Sequence, residues 1–514
     1  MKQRYAFRMK ALHPREYPQI WAALLGTMIF GLFAHGTGLL NKLSHQDDAA
    51  NLFGFGATIT SGRWMLHVLS WVEGLLFRTG SASVPLYNGI VSILCVAAVC
   101  ALLVDLLKIR NPVYCALLGC LLAAFPAMAV LFSYMFTSHP YMIGLLMMGL
   151  AAYLICRATP WWAKILAVVL GGASIGVYQA FLPVLLSVIL IYDFMALGTD
   201  EKNGDLFKRV GIQILCVAGI MAVYFAGNRF FLWKFNLQLS TYQGIDRMGR
   251  MSLSVFLERC ARAYALFFHP AGNVDADMYP GTLHAVYSFV MAASLLLALR
   301  RIIRTGRESR LKAVLQLILL ALFPLGSNFI YVMSEEVHGL MVFGGIMPFV
   351  LLIAMLDELE SASFRGKQAM SLAASLVLAV TGVMFARFDN QCYLKDTLQQ
   401  SQAMSYYTTV ITRIKSTPGY TPETKISFVN DWTNLDPTIY NLPEMDFIHL
   451  NLYSHNTTRY IHLYKEFFMR VWCGFEGNWY FGEDPMGWPE VQAMPSYPAD
   501  GSVQMVRDVL IVKF

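Results

Sequence analysis

Two adjacent carboxylates, Asp47 and Asp48, follow Ser44-His45-Gln46 just beyond the first long apolar run of the chain. Asn51, Gly54 and Gly56 come next, then Ser61-Gly62-Arg63-Trp64. An acid so placed can take a proton from a hydroxyl as a general base. An arginine such as Arg63 can grip a phosphate through two parallel hydrogen bonds. The same residues also describe a solvated loop in which Asp47 and Asp48 open a helix, where acids are common. The acidic pair alone does not choose between these readings.

Other candidates are scattered. Tyr178 and Gln179 interrupt a long apolar stretch and can bind a sugar or a lipid phosphate, or simply cap a turn at a membrane interface, where Tyr is common. His139, before Pro140, and the cluster Glu335, Glu336 and His338 can bind sugar hydroxyls or form polar turns. Arg229, Arg247, Arg250, Arg259 and Arg262 are cations that can hold a lipid phosphate or sit on a solvated face. Asp105 and Asp193 lie near span ends and read as solvated helix ends, and Asn328 reads as interhelical glue. No CxxC or His/Cys cluster suggests zinc; two acids and a phosphate could together hold a metal, although nothing in the chemistry demands one.

These residues need elements to hold them, and composition says what kind. Of 514 residues, 56% are hydrophobic and only 14% charged, with a mean hydropathy of +0.50. A soluble protein carries about 25% charged residues, so a soluble enzyme of ordinary composition and a disordered chain are both excluded. The pattern predicts an α-helical polytopic membrane protein. Eleven apolar segments read as spans: 18–40, 85–107, 112–134, 140–157, 160–177, 180–198, 210–232, 280–300, 313–333, 340–356 and 368–388. The basic start leads into an apolar run too long for a cleavable signal peptide, so none is expected.

The formal charge of +6 does not point to nucleic acid, because the basic residues sit in short clusters between apolar runs. Counting from a cytoplasmic N-terminus, every expected inner loop is basic, while the short loops near 135–139, 178–179 and 334–339 hold no Lys or Arg. The expected outer side carries two long loops, 41–84 and 234–279, and everything after the last span. That tail holds 9 Lys and Arg against 14 Asp and Glu, leaving 30 basic and 19 acidic residues before it. Two domains are therefore expected, 1–388 in the membrane and 389–514 outside it. Function is expected on the elaborated outer side.

Two outer segments have helical apolar spacing but are too short to span: Trp64–Phe77 and roughly Ser252–Phe268. Both are expected to lie in the interface. The tail reads as a small α/β domain, with a helix over Asp389–Lys415 and strands at Lys425–Val429, Phe447–Leu452 and Val509–Phe514. Its tryptophans Trp432, Trp472, Trp479 and Trp488 can stack on sugars or pack a core, and core packing is the better reading for most. Six of nine cysteines fall in spans as small apolar packing. Of those outside, Cys392 and Cys473 are a possible disulfide if that compartment oxidises.

An acidic pair opening the first outer loop, an interfacial helix entered through Gly62-Arg63-Trp64, and a span ending in Gly176-Val177-Tyr178-Gln179 resemble the polytopic lipid-linked sugar transferases of the GT-C class. Within it the chain is most similar to the type II serotype-converting glucosyltransferases of O-antigen modification. The resemblance covers most of the chain in layout and is motif-specific only around Asp47–Trp64 and Gly176–Gln179. It implies a bacterial inner-membrane enzyme with a cytoplasmic N-terminus and a periplasmic C-terminus. The implied donor is a polyprenyl-phosphate sugar such as undecaprenyl-phosphate glucose, and the acceptor a lipid-linked or polymeric glycan. A donor synthase and a flippase are implied as partners. The first carboxylate of the loop would be the base, which carries over to Asp47 with Asp48 as neighbour or alternate, and no cofactor is implied. Two other functions fit a polytopic chain: a transporter or flippase of lipid-linked sugars, and a non-catalytic polysaccharide assembly factor. A transporter predicts midplane polar residues and repeated halves, and neither is apparent in the sequence.

Overall fold

The structure, a computed structural model, describes residues 14–43, 46–78, 83–198, 203–241, 251–360, 366–429, 442–445, 447–448 and 465–514. The chain divides into two compact units. One comprises Met1–Asn41 and Phe53–Asn390, the other Lys42–Leu52 and Gln391–Phe514. The short piece 42–52, expected within the first loop of the membrane domain, thus clusters with the C-terminal residues.

Among its described residues the first unit has helices and their connections and no strand. Among the described residues, eight helices are long and apolar enough to cross a membrane, or nine if one bent pair counts as a span. Each of the eleven expected segments is found as helix, but three depart from a simple span. The segment 112–134 is two helices, Pro112–Ala123 and Ala127–Ser133, bent by 41°. The break falls at Pro126, which has no N–H to continue the ladder. His35 from the helix Pro18–Leu40 meets the bared turn there, donating its Nε2–H to the Ala123 carbonyl at 2.7 Å. The segment 160–177 is the helix Trp161–Val177, of 17 residues. The segment 340–356 begins with two 3-10 turns, so that its α-helix Met347–Glu360 has only 14 residues. At 1.5 Å per residue that helix spans about 21 Å, against about 30 Å of hydrocarbon.

The division between the segments 160–177 and 180–198 is present. Tyr178 is extended between Val177 and the short turn Gln179–Phe181. Asp105 is exposed and bonded by the Tyr153 hydroxyl at 2.7 Å. Asp193 differs from expectation: it is buried, with Arg209 at 3.0 Å and the Gln213 amide at 3.1 Å. A buried carboxylate needs such partners. Asn328 donates to the Ala263 carbonyl at 3.1 Å, tying a span end to the helix Leu253–Phe268.

Both segments expected to lie in the interface are helices. Trp64–Phe77 has 14 residues and exposes Trp71, Leu75 and Leu76. Leu253–Phe268 is capped by the Ser252 hydroxyl, which accepts from Val255 N–H.

In the second unit, the residues from 391 to 416 end a helix of 50 residues, Lys367–Ser416. Four strands follow in the order β2-β1-β4-β3: β1 is Lys425–Val429, β2 Asn478–Trp479, β3 Val503–Val506 and β4 Val509–Lys513. β1 runs parallel to β2 and β4, and β3 pairs antiparallel with β4. Successive side chains of a strand face opposite ways, and β4 uses both faces. Leu510 and Val512 join Ala403, Tyr407, Val410 and Ile414 of the helix, spaced at helical intervals. Val509 and Ile511 join Trp488, Val491 and Met494. The strands expected at 425–429 and 509–514 are therefore present. Of the one expected at 447–452, Phe447 and Ile448 are not in a strand and the rest lies outside the described residues. Trp472 and Trp479 pack on the first of these cores and Trp488 in the second, and Trp432 is outside the described residues.

The possible disulfide is not formed: Cys392 and Cys473 are not joined to each other. Cys473 lies against Thr408. Thr408 is 16 positions beyond Cys392 on one continuous helix, about 24 Å along its axis. A disulfide needs Cα atoms within about 7 Å.

Candidate active site

In the first unit, the two motif segments of the sequence meet. Gln179 donates its amide to the Ser61 carbonyl at 2.9 Å and to the Tyr224 hydroxyl at 3.2 Å. Between them Gly62 is left-handed, with φ of 71°. A Cβ there would lie 2.7 Å from the Tyr224 hydroxyl and 2.8 Å from the Gln179 amide nitrogen. Only glycine combines that backbone conformation with that proximity.

The next two residues are seated by this turn. Trp64 stacks on Phe231, with ring centres 5.6 Å apart, and its indole runs against the bare backbone of Gly176, where a Cβ would stand 2.6 Å away. Arg63 lies over two tyrosines that are stacked on each other at 4.5 Å, its guanidinium carbon 5.1 Å from the Tyr178 ring centre and 5.8 Å from that of Tyr141. Cation–π contact of this kind holds a guanidinium by its face. Arg229 is on the exposed face of the helix Asn203–Phe235, two positions beyond Gly227, which also backs the Trp64 ring.

His139 is buried and pairs with Glu73 of the helix Trp64–Phe77 at 3.3 Å. The rings of Phe55 and Tyr87 flank it at 5.9 and 5.8 Å. Glu73 was not among the sequence candidates, although it is the only charged residue in Trp64–Phe77. A lone carboxylate on a short apolar helix needs a partner, and that was the available signal.

Glu335, Glu336 and His338 form a second group. Glu335 accepts from Arg259 at 2.9 Å, and Arg262 donates to the Glu335 backbone carbonyl at 3.3 Å. Glu336 lies 4.0 Å from His338. Arg259 and Glu335 thus neutralise each other in part and tie the helix Leu253–Phe268 to this loop. Arg247 and Arg250 lie outside the described residues.

The acidic pair belongs to the second unit. Asp47 and Asp48 are in the five-residue helix Gln46–Ala50. Asp48 is 1% exposed and ion-paired with Lys42. Asp47 is partly exposed, and its backbone carbonyl accepts both from Asn51 N–H at 3.0 Å and from the Asn51 side-chain amide at 2.7 Å. Burial pushes the Lys42 ammonium down to about 7, against the opposing pull of Asp396. The two acids are therefore unlike: Asp48 is buried in an ion pair and Asp47 is partly exposed.

Among the described residues, no three His, Cys, Asp or Glu side chains gather so as to hold a metal ion.

A family model described as glucosyl transferase GtrII matches residues 36–349, more than half of the chain. The matched stretch takes in Asp47, Arg63, His139, Gly176–Gln179, Arg229 and Glu335–His338. No curated protein and no solved structure matches the chain.

Proposed function

The chain belongs to the glucosyl transferase GtrII family and is a glycosyltransferase, and on that premise we propose that it moves a glucosyl residue from a polyprenyl-phosphate donor to a hydroxyl of O-antigen or another envelope glycan. The reaction takes place at the outer face of the bacterial inner membrane. The N-terminus is cytoplasmic and the C-terminal unit periplasmic, in keeping with the basic clusters at alternate span ends. A synthase must make the donor on the inner side, and a flippase must bring it across.

Asp47 takes the proton of the acceptor hydroxyl. The freed oxygen attacks the anomeric carbon, and the bond from that carbon to the phosphate oxygen breaks with its electron pair staying on the phosphate. Attack from the face opposite the leaving group inverts the centre, so a β-linked donor gives an α-linked product. A lipid phosphate is stable as an anion, so the step asks for no nucleotide, general acid or cofactor. It asks for countercharge, which Arg63 supplies. Tyr178, Gln179 and His139 line the donor side, and Glu335, Glu336 and His338, with Arg229, Arg247 and Arg250, are secondary contacts to sugar and phosphate.

The observation that carries this reading is the seating of Arg63 above Tyr178 and Tyr141 by a turn that Gln179 fastens. The choice of Asp47 over Asp48 is supported by the burial of Asp48 against Lys42. The test is transfer from defined undecaprenyl-phosphate glucose to O-polysaccharide by the purified protein. Asp47→Asn is expected to lower kcat by about 10²–10⁴-fold with normal expression and donor binding, and Asp48→Asn by less. Full activity in both variants would overturn the assignment.

A further inference from the structure

The helix that carries Asp47 is fastened by buried charge. Lys42, which precedes it, is paired with Asp48 on that helix and also feels the carboxylate of Asp396, on the helix Lys367–Ser416. Asp48 and Asp396 are 1% and 0% exposed. Gln400, one helical turn beyond Asp396, donates its amide to the Lys42 carbonyl at 3.2 Å. The neighbouring Lys395 is directed elsewhere, to the carbonyls of Met445 and Ile448 at 3.4 and 3.3 Å. The short helix Gln46–Ala50 also packs on the helix Lys465–Trp472. All of these residues fall in one compact unit.

Such an arrangement is expensive to bury and is a poor way to gain stability, since apolar residues of similar volume do as well or better. Its value lies in geometry. An ammonium paired with Asp48, within electrostatic reach of Asp396 and with its backbone carbonyl held by Gln400, admits few placements of the backbone that bears it. Five residues of helix cannot hold their own position, so the orientation of Asp47 must come from what Asp48 and Lys42 grip.

We propose that Lys42 and Asp396 are positioning residues for sugar transfer, fixing through Asp48 the helix that presents Asp47 to the acceptor hydroxyl. This rests on the reading of Asp47 as the base. The C-terminal unit then holds the base in place and is part of the catalytic apparatus in that sense. Lys42 must carry its proton to pair with Asp48 and to attract Asp396, so transfer declines as pH rises through about 7. Among the described residues, the charged groups acting on it are Asp48 from the short helix and Asp396 from the long one.

The test compares Lys42→Met, Lys42→Arg and Asp396→Asn with the parent, using undecaprenyl-phosphate glucose as donor. Protein level, monodispersity in detergent and melting temperature are measured beside activity. Lys42→Met and Asp396→Asn are expected to lose at least tenfold in kcat with donor KM within twofold of the parent. Lys42→Arg is expected to recover most of kcat and to shift the alkaline decline to higher pH. Parental kcat in a well-folded Lys42→Met would overturn the proposal, as would an unchanged alkaline limb in an active Lys42→Arg. Asp47→Asn is run in parallel. Activity retained there removes the base assignment itself, whereas activity lost there and kept in Lys42→Met removes the positioning role alone.

Discussion

The guanidinium of Arg63 lies 5.1 Å from the centre of the Tyr178 ring, although 115 residues of chain separate them. Gly62 makes that approach, and Gln179 secures it. A cation held flat on an aromatic pair is preorganised for a phosphate, because little side-chain freedom remains to be lost on binding.

Arg63 should tolerate no substitute. A lysine keeps the charge but loses the planar fork and the stacking surface. Hydrogen bonds to charged groups contribute about 1.5–3 kcal/mol, so Arg63→Gln is expected to lower kcat/KM by about 10–150-fold. Arg63→Lys is expected to recover only part of that loss. Steady-state transfer kinetics with the lipid-linked donor check both.

The turn itself is a second target. Gly62→Ala places a side chain on a left-handed backbone and against Tyr224 and Gln179, and Gly176→Ala drives a methyl into the Trp64 ring. Overpacking of this kind costs about 1–3 kcal/mol. Thermal unfolding in detergent should show both variants melting below the parent. Gly211→Ala, where nothing lies within 4 Å of the added carbon, should not.

Lys42 makes stability depend on pH. Its folded-state value of about 7 lies below the ordinary 10.5. Between those values the unfolded chain binds a proton that the folded chain does not, so stability rises with pH across the window. Below about 7 the side chain is charged in both states and the dependence vanishes. The melting temperature of the parent relative to Lys42→Met is therefore expected to climb from pH 7 to pH 9. A difference that stays flat or falls would contradict the burial of Lys42.

The thiols should behave independently. Cys392 and Cys473 are not joined to each other, and mass mapping under non-reducing conditions is expected to find no peptide linking them. Reductant should leave the melting temperature unchanged. Labelling should favour the partly exposed Cys473 over the buried Cys392.

The side of the membrane reached by the tail is open to a direct measurement. A periplasm-dependent reporter fused after Phe514 is expected to be active, and a cytoplasm-dependent one silent. The reverse pair of signals would refute the periplasmic C-terminus.

Much of the fold was legible because it depends on local pattern. The helices Pro18–Leu40 and Pro85–Leu107 begin at prolines suited to a first turn and end where the apolar run ends. Trp64–Phe77 showed its spacing and its shortness together. Arg63, Tyr178 and Gln179 stood out as polar interruptions of apolar chain, and they do meet. What stayed hidden needed distance information. Lys42 sits beside the acids in the sequence, but nothing there names Asp396 as its neighbour. The bond from Glu73 to His139 joins positions 66 apart. Cys392 and Cys473 were read as a pair by elimination, whereas the unbroken helix Lys367–Ser416 keeps their surroundings apart. β2 has two residues, too few for any periodicity to show.

The union of residues 42–52 with 391–514 in one compact unit also limits how such chains can be recombined. A crossover beyond position 390, natural or engineered, would import a foreign tail while leaving Lys42 and Asp48 behind from the old parent. A hybrid intended to inherit the tail's behaviour must therefore inherit eleven residues from near the other end of the chain. Those two stretches should be passed on together, as a single heritable module with two separate addresses.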